Sequence, residues 1–152
     1  MQQYNSDLKK GALLKRIYEF LAQRSVMVLS TVAVDNVPES EMLDYVIEED
    51  FSIYFCTSKE ARKYENLTNN SDKVALVVGF YEELTLQYEG VAKLVKEKEI
   101  PELISKQLRE KGRKSHKSSG RDFVYFKIMP RFLRMTDVSE SPWSVNEVRI
   151  DV

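Results

Sequence analysis

A chain of 152 residues with a formal net charge of −1, 31% charged and 43% hydrophobic residues suits one domain whose core needs no staples. The near-neutral balance provides no global field toward nucleic acid or a membrane, so any basic site has to be local. The single cysteine excludes an internal disulfide, and with neither a charged-then-apolar leader nor an apolar run of about 18 residues the expectation is a soluble, cytoplasmic protein.

Residues 8 to 24 place Leu13, Ile17, Phe20 and Leu21 at helical spacing behind Ser6 or Asp7 as N-caps, which predicts an amphipathic opening helix. Val26 to Val34 is β-branched and nearly all apolar, stops at Asp35-Asn36 and resumes after Pro38, a central strand, a turn and a second strand expected over 39–47. The polar turn Glu48-Glu-Asp50 leads into a third strand, Phe51 to Cys56. Beyond it Thr57 and Ser58 give way to a cationic, helix-like segment ending near Leu67. A strand feeding a helix start makes an anion site, because the first backbone N–H groups of a helix lack intrahelical partners and sit at the positive end of its dipole; Thr57, Ser58, Arg62 and Lys63 are the side chains placed to hold a phosphate there.

Asn69 to Asp72 breaks the helix, and Lys73 to Phe80 reads as a buried fourth strand followed by a hairpin through Glu82 and Glu83. The fifth strand alternates, with Leu84, Leu86, Tyr88, Ala92 and Leu94 on one face and Thr85, Gln87, Glu89, Val91 and Lys93 on the other, and Gly90 as a bend or bulge. Residues 98 to 112 form a second amphipathic helix with Pro101 near its first turn and Gly112 at its end. Phe123 to Val138 returns to strand, with Pro130 at a bulge or edge. The stretch from Lys106 to Arg121 concentrates basic residues and the sole histidine, His116. It holds no interleaved aromatics on which bases could stack, so a solvated loop or a lid over an anionic ligand is expected rather than a nucleic-acid surface.

This order resembles the FMN-binding split β-barrels of the pyridoxamine 5′-phosphate oxidase-like superfamily. The segments that carry the resemblance are Val28-Leu-Ser-Thr-Val-Ala-Val-Asp-Asn-Val-Pro38, Phe55-Cys-Thr-Ser-Lys-Glu-Ala-Arg-Lys-Tyr-Glu-Asn-Leu67 and Leu84-Thr-Leu-Gln-Tyr-Glu-Gly90, spread over roughly residues 15 to 137. It implies a mainly β fold: a split β-barrel of six or more mostly antiparallel strands, with an N-terminal helix, a short helix after the third strand and a helix before the last long strand, as a single domain over 1–152. The tail 138–152 is expected to pack on the barrel or on a partner. It further implies FMN as cofactor, a homodimer with the flavin at the interface, and a small-molecule substrate. Thr57, Arg62 and Lys63 match phosphate-binding positions, with Cys56 and Ser58 beside them. Asp44, Tyr45 and Val46, with Leu43, match the segment whose backbone faces the flavin ring, joined by Thr85 and Gln87. Two charge-assisted pairs of about 1.5–3 kcal/mol each, together with amide contacts, fall short of or barely reach the roughly 8 kcal/mol of micromolar binding, so the ring must supply much of the affinity.

Two departures from the family pattern stand out. Ala61 occupies a position that is often serine, removing a hydroxyl donor to the phosphate, and the tail Ser141 to Arg149 has one arginine and no histidine, which argues against pyridoxamine phosphate oxidation itself. Cys56 has no local histidine and reads as a small buried hydrophobe rather than a nucleophile, and one cysteine with one histidine makes no zinc site. Trp143 reads first as an anchor of the tail on the barrel, and Asp44, Glu82 and Glu83 as turn or rim carboxylates. The leading expectation is an FMN-dependent oxidoreductase in which the cofactor performs the chemistry and no side chain is assigned a catalytic role. The alternatives are a haem-binding protein using His116, and a non-catalytic stress-related protein binding another phosphorylated cofactor such as a deazaflavin.

Overall fold

The computed structural model describes residues 2–114 and 122–151. In chain order the elements are α1 (Gln2–Ala22), β1 (Val26–Val32), β2 (Pro38–Asp44), β3 (Val46–Ile47), β4 (Ile53–Ser58), α2 (Arg62–Asn69), β5 (Val74–Val78), β6 (Leu84–Val95), α3 (Ile100–Glu110), β7 (Phe123–Asp137) and β8 (Ser144–Arg149). The strands form one antiparallel sheet of order β2-β1-β5-β6-β7-β4-β3, with β8 on β7. Because β2 and β3 stand at the two ends of that order and only Tyr45 separates them in the chain, the sheet curls back on itself. The result is the expected split barrel with flanking helices.

The hydrophobic pattern explains the curl. Met27, Leu29, Val74, Leu76, Val78, Leu86, Tyr88, Ile53, Phe55, Phe126 and Ile128 point into one core, closed on its open side by Ile17, Phe20 and Leu21 of α1. Period-2 alternation on β1, β5, β6 and β7 and a 3.6-residue stripe on α1 meet on the same side. A second, smaller cluster seats Ile100, Ile104 and Leu108 of α3 on Val46 and Tyr54. Tyr88, the largest interior side chain of β6, donates its hydroxyl to the carbonyls of Phe51 and Ile128 at 2.9 and 2.8 Å, so its polar tip is satisfied inside the barrel.

Several expectations need correction. The strand expected over 39–47 is broken at Tyr45, whose N–H donates to Ser25 O at 2.9 Å; the chain leaves one partner strand, β1, and joins another, β4. The opening helix begins at Gln2, so Ser6 and Asp7 lie within it rather than before it. Within the tail, expected to pack on the barrel or on a partner, residues 144–149 form a strand, β8, registered against the second half of β7 from Phe132↔Arg149 to Asp137↔Ser144. Trp143 does not anchor that tail, since it is 67% exposed. The bulge expected at Gly90 and Pro130 is present: pairing shifts between Glu89↔Phe132 and Gly90↔Pro130, leaving Arg131 opposite neither. His116 and the run 115–121 lie outside the described residues.

Candidate phosphate and cofactor site

The site is built where β4 ends. Thr57 and Ser58 are buried, at 4% and 8% exposure, and the turn beyond them is closed by Ser58: the Glu60 N–H donates to its Oγ at 3.2 Å and the Ala61 N–H to its carbonyl at 3.1 Å. The hydroxyl of Thr57 makes only a long 3.5 Å contact with Ser58 O. Ala61 is the N-cap of α2, extended and without a side-chain capping bond, so the first turn lacks the acceptor that a serine or threonine would bring, and of its N–H groups that of Tyr64 donates to Ala61 O at 3.0 Å.

Two consecutive cations follow, and they differ. Arg62 is 79% exposed by side chain, whereas Lys63 is only 10% exposed, and a buried ammonium requires a partner. Both find carboxylates on β2: Arg62 Nη1 lies 2.9 Å from Glu39 Oε1, and Lys63 Nζ donates to Glu41 Oε2 at 2.7 Å. One turn later the buried Asn66 donates from Nδ2 to Glu39 Oε2 at 2.6 Å and to Thr31 Oγ1 at 3.0 Å. Asn70 then donates to the carbonyls of Val32 and Ala33 at 2.9 and 3.2 Å. These bonds fix α2 against the β1–β2 hairpin and therefore fix where Lys63 points.

A cavity of about 880 Å³ opens beside this turn, within the range of cofactor sites. Thr57, Ser58, Ala61 and Lys63 line one side, Glu41 to Asp44 of β2 the other, and Ile104, Leu108 and Arg113 from α3 and its C-terminal extension close it. Arg113 pairs with Asp44 at 2.9 Å, tying the segment that follows α3 to the end of β2, and both residues line the cavity. Cys56 also lines the cavity; burial pushes its thiol above the ordinary range, the Asp44 carboxylate adds to this, and neighbouring Lys63 opposes it only in part.

The expected site residues do not all converge. Asp44, Cys56, Thr57, Ser58 and Lys63 share the cavity, and Arg62 lies next to it in a cleft with Glu39 and Glu41. Tyr45 and Val46 are fully buried. The Tyr45 ring turns inward, its hydroxyl donating to Leu21 O at 2.7 Å, so the side chain caps the end of α1. Thr85 and Gln87 sit on β6, separated from β4 by β7 in the sheet, and do not line the cavity of their own chain. Glu39, Glu41, Asn66 and Arg113 were not among the expected residues. Positions 39 and 41 alternate on one strand and share a face, which is the signal available in the sequence; that the face meets α2 depends on the fold.

A second cavity of about 890 Å³ lies between α1, the β3–β4 turn and α3, lined by Glu48, Glu49, Asp50, Lys106 and Lys111 among others. It has no buried hydroxyl-and-cation cluster comparable to that at Thr57, Ser58 and Lys63. The strand-to-helix cavity is therefore the candidate site, although the two volumes are nearly equal.

No curated protein sequence matches this chain significantly. Solved structures do. A protein of Listeria innocua named for pyridoxamine 5′-phosphate oxidase is 26% identical, covers 81% of this chain and 97% of its own, and superposes with a TM-score of 0.66. The general stress protein 26 of Bacillus anthracis is 21% identical over 91% of this chain and 98% of its own, with a TM-score of 0.69. An F420 reductase is 17% identical over 76% of this chain and 93% of its own, with a TM-score of 0.64; the last two likenesses speak to the fold alone. The sequence profile of the pyridoxamine 5′-phosphate oxidase family matches residues 13–134, which span β1 to nearly the end of β7 and so contain the whole cavity. By that match, and by the split barrel it predicts, the chain belongs to the pyridoxamine 5′-phosphate oxidase family.

Proposed function

We propose that the protein is an FMN-binding oxidoreductase-like member of this family, holding the flavin phosphate at the β4–α2 turn and the ring along β2. The observation that carries the reading is the burial of Thr57, Ser58 and Lys63 around a cavity of about 880 Å³. Lys63 and Ser58 already have partners within the chain, but two buried hydroxyls and a buried ammonium brought to one cavity wall are the donors that an anionic ligand takes. In this reading Lys63 and Arg62 hold the phosphate by charge, the Thr57 hydroxyl and the uncapped N–H groups of α2 supply further donors, and Leu43, Ile104 and Leu108 offer apolar surface to the ring. Bound FMN would supply hydride chemistry that no side chain here can perform. The side chains hold and orient it, and the Arg113–Asp44 pair restricts water in the cavity.

The reading includes a homodimer with the flavin at its interface. Met42 on the cavity wall is 62% exposed, and Thr85 and Gln87 reach a flavin only if a second copy presents them. The substrate is a small molecule reached through the open side of the flavin.

The test is titration of the purified protein with FMN and with riboflavin, followed by flavin fluorescence. FMN is expected to bind at micromolar concentration, and replacing Arg62 and Lys63 together by alanine is expected to weaken FMN at least about tenfold while leaving riboflavin little changed. Equal loss for the two flavins would move the phosphate elsewhere, and absence of binding at high micromolar FMN would overturn the reading.

A further inference from the structure

The two cations of the phosphate site already have partners within the chain. Arg62 and Lys63 carry two positive charges, Glu39 and Glu41 two negative ones, and the pairs are closed at 2.9 and 2.7 Å. The cluster is therefore neutral before any ligand arrives. A phosphate monoester carrying close to two negative charges gains little from a neutral cluster, and leaving both carboxylates in place would set like charges side by side.

The two glutamates are not equivalent. Glu39 has a side chain 17% exposed and is gripped from the other side by Asn66 at 2.6 Å, so it is part of the framework. Glu41 has a side chain 57% exposed and is held by Lys63. It lines the cavity and can turn into water at small cost, whereas Lys63, 10% exposed, must stay and must keep a counter-ion.

We infer that Glu41 is the intramolecular counter-ion that a ligand phosphate displaces from Lys63, and that this exchange sets how tightly the cavity takes a phosphate monoester. The inference rests on the assignment of the cavity to a phosphorylated ligand and adds a specificity-determining residue to it. In the free protein the Glu41 carboxylate fills the place of a phosphate oxygen on Nζ; on binding, the phosphate takes that place and the carboxylate moves to solvent. The site thereby discriminates against weak anions, which cannot displace Glu41, and binds its cofactor less tightly than the same donors would without it.

The experiment compares wild type, Glu41→Gln, and Glu83→Gln as a neutralised exposed carboxylate outside the cavity. Each is titrated with FMN and riboflavin, and its thermal unfolding is recorded with inorganic phosphate. Glu41→Gln is expected to bind FMN about tenfold or more tightly than wild type, with riboflavin unchanged and with the larger thermal protection by phosphate. Glu83→Gln is expected to match wild type in all three. Unchanged or weaker FMN binding and unchanged phosphate protection in a folded Glu41→Gln protein would overturn the inference, as would an equal gain in Glu83→Gln. If neither flavin binds any of the proteins while phosphate still protects Glu41→Gln more than wild type, the flavin assignment falls and the counter-ion role stands.

Discussion

At the scale of single residues, the chain spends its cations on carbonyls and carboxylates that folding would otherwise strand. The end of α1 shows this. Tyr45 donates to Leu21 O at 2.7 Å and Arg24 Nη1 to Phe20 O at 2.9 Å, so two of the carbonyls that the helix end leaves unpaired are met by side chains, and Lys111 Nζ meets the Arg24 carbonyl just beyond it at 2.6 Å. Burial pushes the Tyr45 hydroxyl up and the Lys111 ammonium down, the cost of bringing them inside. Arg24 also stacks 3.7 Å over the Phe20 ring and grips Glu82 through Nε at 2.9 Å and through Nη2. That hydrogen bond holds the Glu82 carboxyl below its ordinary range. A carboxylate with a depressed folded pKa contributes stability that is present above its unfolded value and is lost as pH falls through the folded one. Because the pair is partly solvated, its contribution is about 0–1 kcal/mol. Glu82→Gln is therefore expected to lower stability slightly at neutral pH, and urea titrations of the two proteins should converge on acidification below the ordinary carboxylate range. A difference that persists or grows there would assign the effect to something other than the ion pair.

Among the elements, the β6–β7 pair does the most. It runs from Leu84↔Asp137 to Val95↔Tyr125, and it is where the sheet changes partner, since β4 covers β7 up to Ile128 and β8 covers it from Phe132. The bulge lies in that gap. Pro130 has no N–H to donate, so a position between two partner strands suits it. Gly90 is opposite: a Cβ there would meet Met129 O at 2.4 Å and Ile128 Cγ2 at 2.7 Å, contacts that side chains do not tolerate. Gly90→Ala is expected to cost about 1–3 kcal/mol, read as a fall of about 2–4 °C in Tm per kcal/mol for a chain of this size; a neutral substitution would mean that the two strands can slide apart locally. These features were legible in the sequence because they are local: a glycine inside an alternating strand and a proline inside another mark a bulge wherever the strands pair. The Thr57-Ser58 to Arg62-Lys63 turn was legible for the same reason. The break at Tyr45 was not, since an apolar aromatic between Asp44 and Val46 continues the strand pattern, and only closure of the sheet makes the chain change partners there. Nor was the pairing of Glu39 with Arg62 and Glu41 with Lys63, which needs the β1–β2 register and the seat of α2 together.

For the whole molecule, the remaining question is what covers the surface that one chain leaves apolar. Trp143 is 67% exposed, Val145 beside it 42%, and Met42 at the cavity 62%. Single exposed hydrophobes are ordinary on a monomer, but a tryptophan held on an ordered turn leading into β8 is a large area to leave in water. The proposed homodimer gives that area a use, and the sequence provides the probe, because Trp143 is the sole tryptophan. Sedimentation equilibrium is expected to return twice the mass of the 17.7 kDa chain, and the fluorescence of Trp143 should shift to the red when the protein is diluted below the dissociation constant. FMN should quench it only above that concentration if the flavin lies at the interface. A dimer by sedimentation whose tryptophan emits as a fully hydrated indole at every concentration would place the interface on another face of the barrel. A monomer that binds FMN with unchanged affinity on dilution would remove the second copy from the site, and with it any contact of Thr85 and Gln87 with the flavin.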